Sequence, residues 1–201
     1  MDVQKVSLIN LKKIVLSLTG GALIGIGAGT ILYAGIGGDT VTVFQDGLHA
    51  LFNISYGQAS RIYNVVFVVL ALIFARKYSG IGTVLSALVI GYAIDISNSL
   101  WLLTKLNTGF ITGLIIFLIG LVIYAMGIAL LIKCDAGMNC LDALLYRLMD
   151  VTGLKYKYLR IAADVILTVT GCLMGGIFGV GTVIAVFLTG PLVELFTGNG
   201  Q

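Results

Sequence analysis

The chain has 201 residues, 59% hydrophobic and 10% charged, with a mean hydropathy of +1.08; soluble domains run at about 45–50% apolar and about 25% charged, so this chain belongs in a bilayer. Its net charge of +3 is small and its basic residues lie between apolar runs without interleaved aromatics, which argues against nucleic acid as a partner. Cys134, Cys140 and Cys172 form no C-x-x-C pair and His49 is the one histidine, so no disulfide framework, metal site, cofactor or Ser–His enzyme is expected.

Lys5, Lys12 and Lys13 precede the first apolar run, 14–34, and with no A-x-A-like cleavage site after it the run predicts a retained span. Gly21, Gly25 and Gly29 recur every fourth residue there, a strip that serves either close helix packing or exposure of backbone to a solute. From Asp39 to Asn53, Val41, Phe44, Leu48, Leu51 and Phe52 share one helical face, and Thr42, Gln45, Asp46, His49 and Asn53 the other. At about 1.5 Å per residue such a helix reaches about 20 Å, too short to cross, so it is interfacial or re-entrant. His49, on its polar face, reads as a solvated residue, with pH sensing as the alternative.

Runs 59–75 and 81–97 follow, the second opened by Gly80-Ile81-Gly82-Thr83, and Asn98 to Gly109 then links to a run over 110–132. A second short helix is predicted over Asn139 to Thr152, capped by Asn139 and carrying Asp142 in its first turn, where negative charge is favoured. Runs 158–175 and 180–196 complete six crossings. The fifth carries a second glycine strip, Gly171, Gly175 and Gly179; the sixth opens on Gly179-Val180-Gly181-Thr182 and contains Pro191, which frees a carbonyl and predicts a kink. Tyrosines and Trp101 flank the spans, as an aromatic belt does.

Displaced by 99 residues, the chain falls on itself without a gap: Gly80, Gly82 and Thr83 meet Gly179, Gly181 and Thr182, Gly38 meets Gly137, Arg61 meets Arg160, and Asp95 meets Glu194. The reading is an all-α membrane protein, one polytopic domain over 1–201 built from two units, 14–98 and 110–197. Each unit is span, short helix, span, Gly-x-Gly-Thr turn, span, and three crossings per unit invert the second copy. With the N-terminus in the cytoplasm, Lys5, Lys12, Lys13, Arg76, Lys77, Lys133, Arg147, Lys155, Lys157 and Arg160 fall inside, leaving Arg61 and Lys105 outside.

Charges within hydrocarbon cost about 2.5–3.5 kcal/mol each at mid-bilayer, so those a chain retains there are functional candidates. They are Arg61, Arg160, Asp164 and the acids Asp95 and Glu194. Arg61 with Asp95 near the outer face, and Arg160 with Glu194 near the inner, are expected as pseudo-symmetric gates, with Asn64 and Asp164 about one turn beyond the arginines. The alternative is structural salt bridging or snorkelling. Gly80, Gly82, Thr83 and Gly179, Gly181, Thr182 offer helix-start N–H groups to an anionic ligand, or are tight turns satisfied by their threonines.

The paired turns, Gly38-Asp39-Thr40, Gly137-Met138-Asn139-Cys140-Leu141-Asp142 and the Asn64 span ending in Arg76-Lys77 resemble the bacterial YczE/YyaS/YitT group of small integral membrane proteins. A Pro-Trp-Asp-like stretch common in that group's first loop has no counterpart, nor has the soluble C-terminal domain of the YitT branch. The resemblance implies a five- or six-span protein of the bacterial plasma membrane and supplies no catalytic residues. The leading functional reading is a permease that moves or binds a small organic solute by alternating access, with Arg61, Asn64, Arg160 and Asp164 lining or gating the path. The alternatives are a vitamin-capturing subunit needing an ATPase partner, and a non-transporting accessory or scaffold whose glycine strips face partners, further copies in a homo-oligomer included.

Overall fold

The computed structural model describes residues 3–104, 106, 109–134 and 136–198, with side-chain surroundings from residue 11 onward, Lys157 excepted. Lys105 and the side chains of Lys5 and Lys157, which the charge count uses, lie outside the described residues. Within them the chain forms eight helices and no strand: α1 Val3–Ala34, α2 Thr40–Phe52, α3 Tyr56–Phe74, α4 Ile81–Thr104, α5 Phe110–Cys134, α6 Cys140–Thr152, α7 Tyr156–Leu173 and α8 Val180–Thr197. The order of a long helix, a 13-residue helix and two further helices in α1–α4 recurs in α5–α8.

Five segments are long and apolar enough to cross a membrane: Leu11–Ala34 of α1, then α3, α4, α5 and α8. At 18 residues α7 matches α8 in length, but it carries Lys157, Arg160 and Asp164 and falls outside that set. It also ends before the apolar run does: Gly175 takes a positive φ of 98° and the Gly176 N–H returns to the Gly171 carbonyl at 2.8 Å.

Helix α1 is the spine, packed between α4 and α5. A methyl group on Gly25 would sit 2.5 Å from Ala93 Cβ, and one on Gly27, on the opposite side, 2.5 Å from Tyr124 N. Gly21 and Gly29 meet Ser86 and Ile94 of α4 as closely. The first glycine strip is therefore spent on contacts within the chain, where only a missing side chain lets two backbones approach. Gly171 of the second strip likewise lies against Val43 and Phe44 of α2.

The short helix α2 is enclosed along most of its length: Thr42, Gln45 and Asp46 of its polar face are buried, Leu48 of its apolar face is in the core with Val41 and Phe44 packed against that core, and Leu51 and Phe52 at its end are exposed. In lipid the polar groups need partners inside the protein and the exposed apolar ones do not. Thr40 bonds Asp164 halfway along α7, and Ala50 meets Gly175 just past the end of α7, so α2 runs beside the second half of α7. In the same way α6 runs beside the second half of α3, from Cys140 at Asn64 to Asp150 at Tyr78. Both short helices thus begin deep in the bundle and end toward its surface.

Two clasps hold the halves together. The Gly82 N–H donates to the Ala136 carbonyl at 2.9 Å, and the Gly181 N–H to the Ile36 carbonyl at 2.8 Å. Thr83 Oγ1 accepts from the Gly80 N–H at 3.2 Å and Thr182 Oγ1 from the Gly179 N–H at 3.3 Å. Opposite them, Gly137 and Gly37 adopt φ of 122° and 107°, a region glycine enters without strain. Gly37, not Gly38, is therefore the counterpart of Gly137. The displacement is 100 residues from the first loop through the starts of α2 and α3, and 99 from the ends of α3 and α7 onward. One residue is lost between Asp164 and Gly179, a gap that the gapless alignment passed over.

Candidate polar site at the short-helix N-termini

A continuous hydrogen-bonded chain joins α2, α7 and α6. The Thr40 hydroxyl at the start of α2 donates to Asp164 Oδ1 at 2.7 Å. Arg160, one turn earlier on α7, donates from Nε to Asp164 Oδ2 at 3.1 Å and from Nη1 to Asp142 Oδ1 in the first turn of α6 at 2.6 Å. The Tyr156 hydroxyl reaches the same Asp142 oxygen at 2.8 Å. One guanidinium thus ties two carboxylates together, its planar fork matching their geometry.

Asp39 approaches from the α1–α2 loop. Its Oδ1 caps α2, accepting from the Thr42 N–H at 3.2 Å and from the Thr42 hydroxyl, and its Oδ2 accepts from the Tyr124 hydroxyl of α5 at 3.0 Å. On α3, Asn64 Nδ2 donates to Ser60 Oγ at 3.1 Å, and the Cys140 thiol lies 3.9 Å from Asn64 Oδ1. Asn139 precedes α6 as expected but makes no side-chain cap; its Oδ1 faces the Cys140 thiol at 3.3 Å. Tyr63 packs on Phe67 and Phe44, is 4% exposed, and its hydroxyl is the one buried side-chain polar atom left without a hydrogen bond among the described residues. The charges and thiol acting on that hydroxyl are Cys140, Arg160, Asp39 and Asp142. At the 100-residue displacement, Asp39, Thr40, Ser60 and Asn64 stand opposite Asn139, Cys140, Arg160 and Asp164.

Of the sequence candidates, Asn64, Arg160 and Asp164 meet here. Arg61 does not: Nη1 donates to Asp95 Oδ2 at 3.1 Å, the guanidinium lies over the Tyr92 ring at 4.7 Å, and Asp95 Oδ1 accepts the Gly57 N–H at 2.9 Å. The expected Arg61–Asp95 pair forms, as a bolt between α3 and α4. The expected Arg160–Glu194 pair does not, because α8 packs on α5 away from α7; Arg160 takes Asp142 and Asp164 instead, and Glu194 is exposed. The turn residues Gly80, Gly82, Thr83, Gly179, Gly181 and Thr182 build the clasps, where the N–H groups of Gly82 and Gly181 bind carbonyls of the other half instead of a ligand. Helix α8 continues through Pro191. His49 is not solvated: Nδ1 contacts the Ile54 carbonyl and the ring stacks on Tyr56 at 3.9 Å between centroids.

Asp39, Asp142, Tyr63 and Tyr124 carry as much of the site as the foreseen residues. The signal that points to them is acidic or amide residues at the starts of two short helices, read at a displacement of 100. Toward the surface, α6 is fixed at its far end by Asp150, which accepts from Tyr78 at 2.8 Å and Lys77 at 3.2 Å. Those bonds, the Tyr78 hydroxyl first, hold the Asp150 carboxyl below its ordinary value, and the Tyr78 and Asp150 bonds raise Lys77.

Two cavities differ in character. One of about 10 Å³, the size of one water, is lined by Gly37, Gly38, Thr42 and Asp46 beside the cap of α2. The other is an open apolar groove of about 590 Å³ between α3 and α6, lined by Phe67, Phe74, Leu141 and Leu148, with Arg147 at its rim.

The profile of a family of unknown function, DUF6198, matches residues 11–198. An uncharacterized protein of Haemophilus influenzae is 28% identical over 175 residues, 87% of this chain and 78% of its own length. The uncharacterized membrane protein YczE of Bacillus subtilis is 27% identical over 151 residues, 75% of this chain and 69% of its own length. No solved structure matches.

Proposed function

The chain belongs to the DUF6198 family, and from that premise we propose that this membrane protein is a small permease, moving or binding a small organic solute by alternating access between two inverted units. In this reading α7 is the sixth crossing, tolerated by lipid because Arg160 and Asp164 face protein partners. The N-terminus lies in the cytoplasm of a bacterial cell, α2 is a re-entrant helix opening to the outer face, and α6 is its counterpart at the inner face.

One observation supports the proposal: the N-termini of α2 and α6 meet on the polar chain Thr40–Asp164–Arg160–Asp142, part-way along α7. Broken helices meeting at mid-depth are the usual construction of a solute site in repeat-built transporters. Arg61 and Asp95 then stabilise one half instead of gating it. The scaffold alternative loses its support at α1, whose glycines are occupied by α4 and α5.

Sidedness is the test. Cysteines placed at Phe52, 61% exposed at the end of α2, and at Val151, 66% exposed near the end of α6, in a background without the native cysteines, should react with a membrane-impermeant maleimide from opposite faces of oriented vesicles. Labelling of both from one face removes the inverted arrangement. Solutes that thermally stabilise the purified protein should also show flux into proteoliposomes.

A further inference from the structure

The polar centre is short of positive charge. Asp39, Asp142 and Asp164 share a single arginine, and with all three ionised the four groups carry a formal −2. Arg160 bonds Asp142 and Asp164 directly, whereas Asp39 receives only neutral donors, the Thr42 N–H and hydroxyl and the Tyr124 hydroxyl. The first turns of α2 and α6 open here, and each helix dipole returns about half a positive charge. About one negative charge is left in a centre whose Arg160, Asp142 and Asp164 side chains are 28–34% exposed, and within a membrane protein an uncompensated carboxylate is disfavoured.

Of the titratable groups near Asp39, Tyr124 faces it from α5 and Arg160 acts on it from α7; Asp39 in turn acts on Tyr63 of α3, as Cys140 and Asp142 of α6 do, and Asp164 bonds the neighbouring Thr40. Asp46 on α2 is turned away to accept the Ile177 N–H at 2.6 Å. Arg160 is the one cation of this group, and it is already engaged twice. Among the described residues, no three carboxylate, thiol or imidazole groups converge as a metal ion requires. The neighbouring cavity, about 10 Å³, is too small for an organic cation. At the equivalent cap of α6 the chain carries Asn139, the neutral isostere of aspartate.

We propose that Asp39 is a proton-binding site: at neutral pH its carboxyl is the neutral acid, and the proton is exchangeable. In the acid form Oδ2 donates to the Tyr124 oxygen, the reverse of the bond that the tyrosine hydroxyl donates to the carboxylate. On release the Oδ2–H bond breaks, its electron pair stays on the carboxylate, the proton passes to water entering the centre, and the Tyr124 hydroxyl reverses to donate to Oδ2. Tyr63, whose buried hydroxyl has no hydrogen-bond partner in this arrangement, is the neighbouring group free to bind that water.

The test needs no solute. Infrared spectra of the full chain in lipid nanodiscs at neutral pH should contain a protonated-carboxyl C=O band. Asp39→Asn should remove a component of that band, while Asp142→Asn, Asp164→Asn and Asp46→Asn leave that component in place. In the unmodified chain the component should vanish as pH is raised, and Asp39→Glu should shift it. A neutral-pH spectrum without the band, or one that Asp39→Asn and alkaline pH leave unchanged, overturns the inference. If the band behaves as stated and no solute shows flux, the proton site stands and the transport reading falls; flux without the band has the reverse meaning.

Discussion

Arg160 is the residue on which most of the polar chain depends. Removing it by Arg160→Met leaves Asp142 and Asp164 facing each other's field with only hydroxyl donors. Loss of one partner from a buried ionic group is strongly destabilising, but the Arg160 side chain is 34% exposed here, so screening reduces the figure to an order of 1–3 kcal/mol. Thermal unfolding in detergent should show that loss, and the triple change Arg160→Met, Asp142→Asn, Asp164→Asn should recover most of it. Arg61→Gln removes one ion pair, about a third exposed, where Arg160 makes two, and should cost under about 1 kcal/mol. The sequence reading treated these arginines as equivalents because they align at a displacement of 99. The structure sets Ser60 opposite Arg160, and that is why Asp95 serves one arginine while Glu194 serves neither. Hydropathy marks a charge in an apolar run as unusual; which acid it meets depends on which helices are neighbours, and α8 chose α5.

At the scale of elements, five of the six expected spans are legible, α7 falling outside that set, and the faces of the helices are not. The apolar run expected over 110–132 is α5 at Phe110–Cys134, and the short helices differ from expectation by a residue at an end. Length and hydropathy fix such segments because lipid leaves backbone groups no partners except their own helix. Both faces of α2 are largely enclosed, the polar Thr42, Gln45 and Asp46 as well as the apolar Leu48, so periodicity alone does not give its exposure. The glycine strip of α1 was open between two uses, and packing settles it. Gly25→Val should therefore lower stability by about 1–3 kcal/mol or abolish insertion, because even its Cβ meets Ala93 and Ile90 of α4. Gly190→Ala, where an added methyl meets nothing within 4 Å, should leave unfolding unchanged or raised. The C-terminal end of α6 supplies a pH prediction. The folded Asp150 carboxyl titrates below its unfolded value of about 3.9, so its contribution is present at neutral pH and is lost as pH falls through the folded value. Asp150→Asn should remove that part of the acid dependence of unfolding, measured against the parent chain.

In the whole molecule the two four-helix halves pack through α1 on α5, α2 on α7 and α3 on α6, and two clasps of the same design add to that contact. The Gly-x-Gly-Thr turn of each half docks in the loop before the other half's short helix. If the halves rock, one clasp must part while the other holds, and water must reach the centre from alternate faces. Cys140 is a native reporter of that event: it sits at the start of α6 beside Asn64, 2% exposed. Only a thiolate attacks maleimide, and burial against the Asn64 and Asn139 amides keeps this thiol protonated, so modification measures the fraction of time the centre is wet. With Cys134 and Cys172 replaced, Cys140 should react slowly with an impermeant reagent applied to either face of the vesicle, and Tyr63→Ala should speed both reactions by removing a ring from the buried cluster that holds the thiol. A stabilising solute should suppress both together. Reaction from a single face would mean a centre that opens one way only, as a capturing subunit does. No reaction from either face, in a chain whose Phe52 and Val151 positions label normally, would mean that the two clasps never part and that the centre is structural.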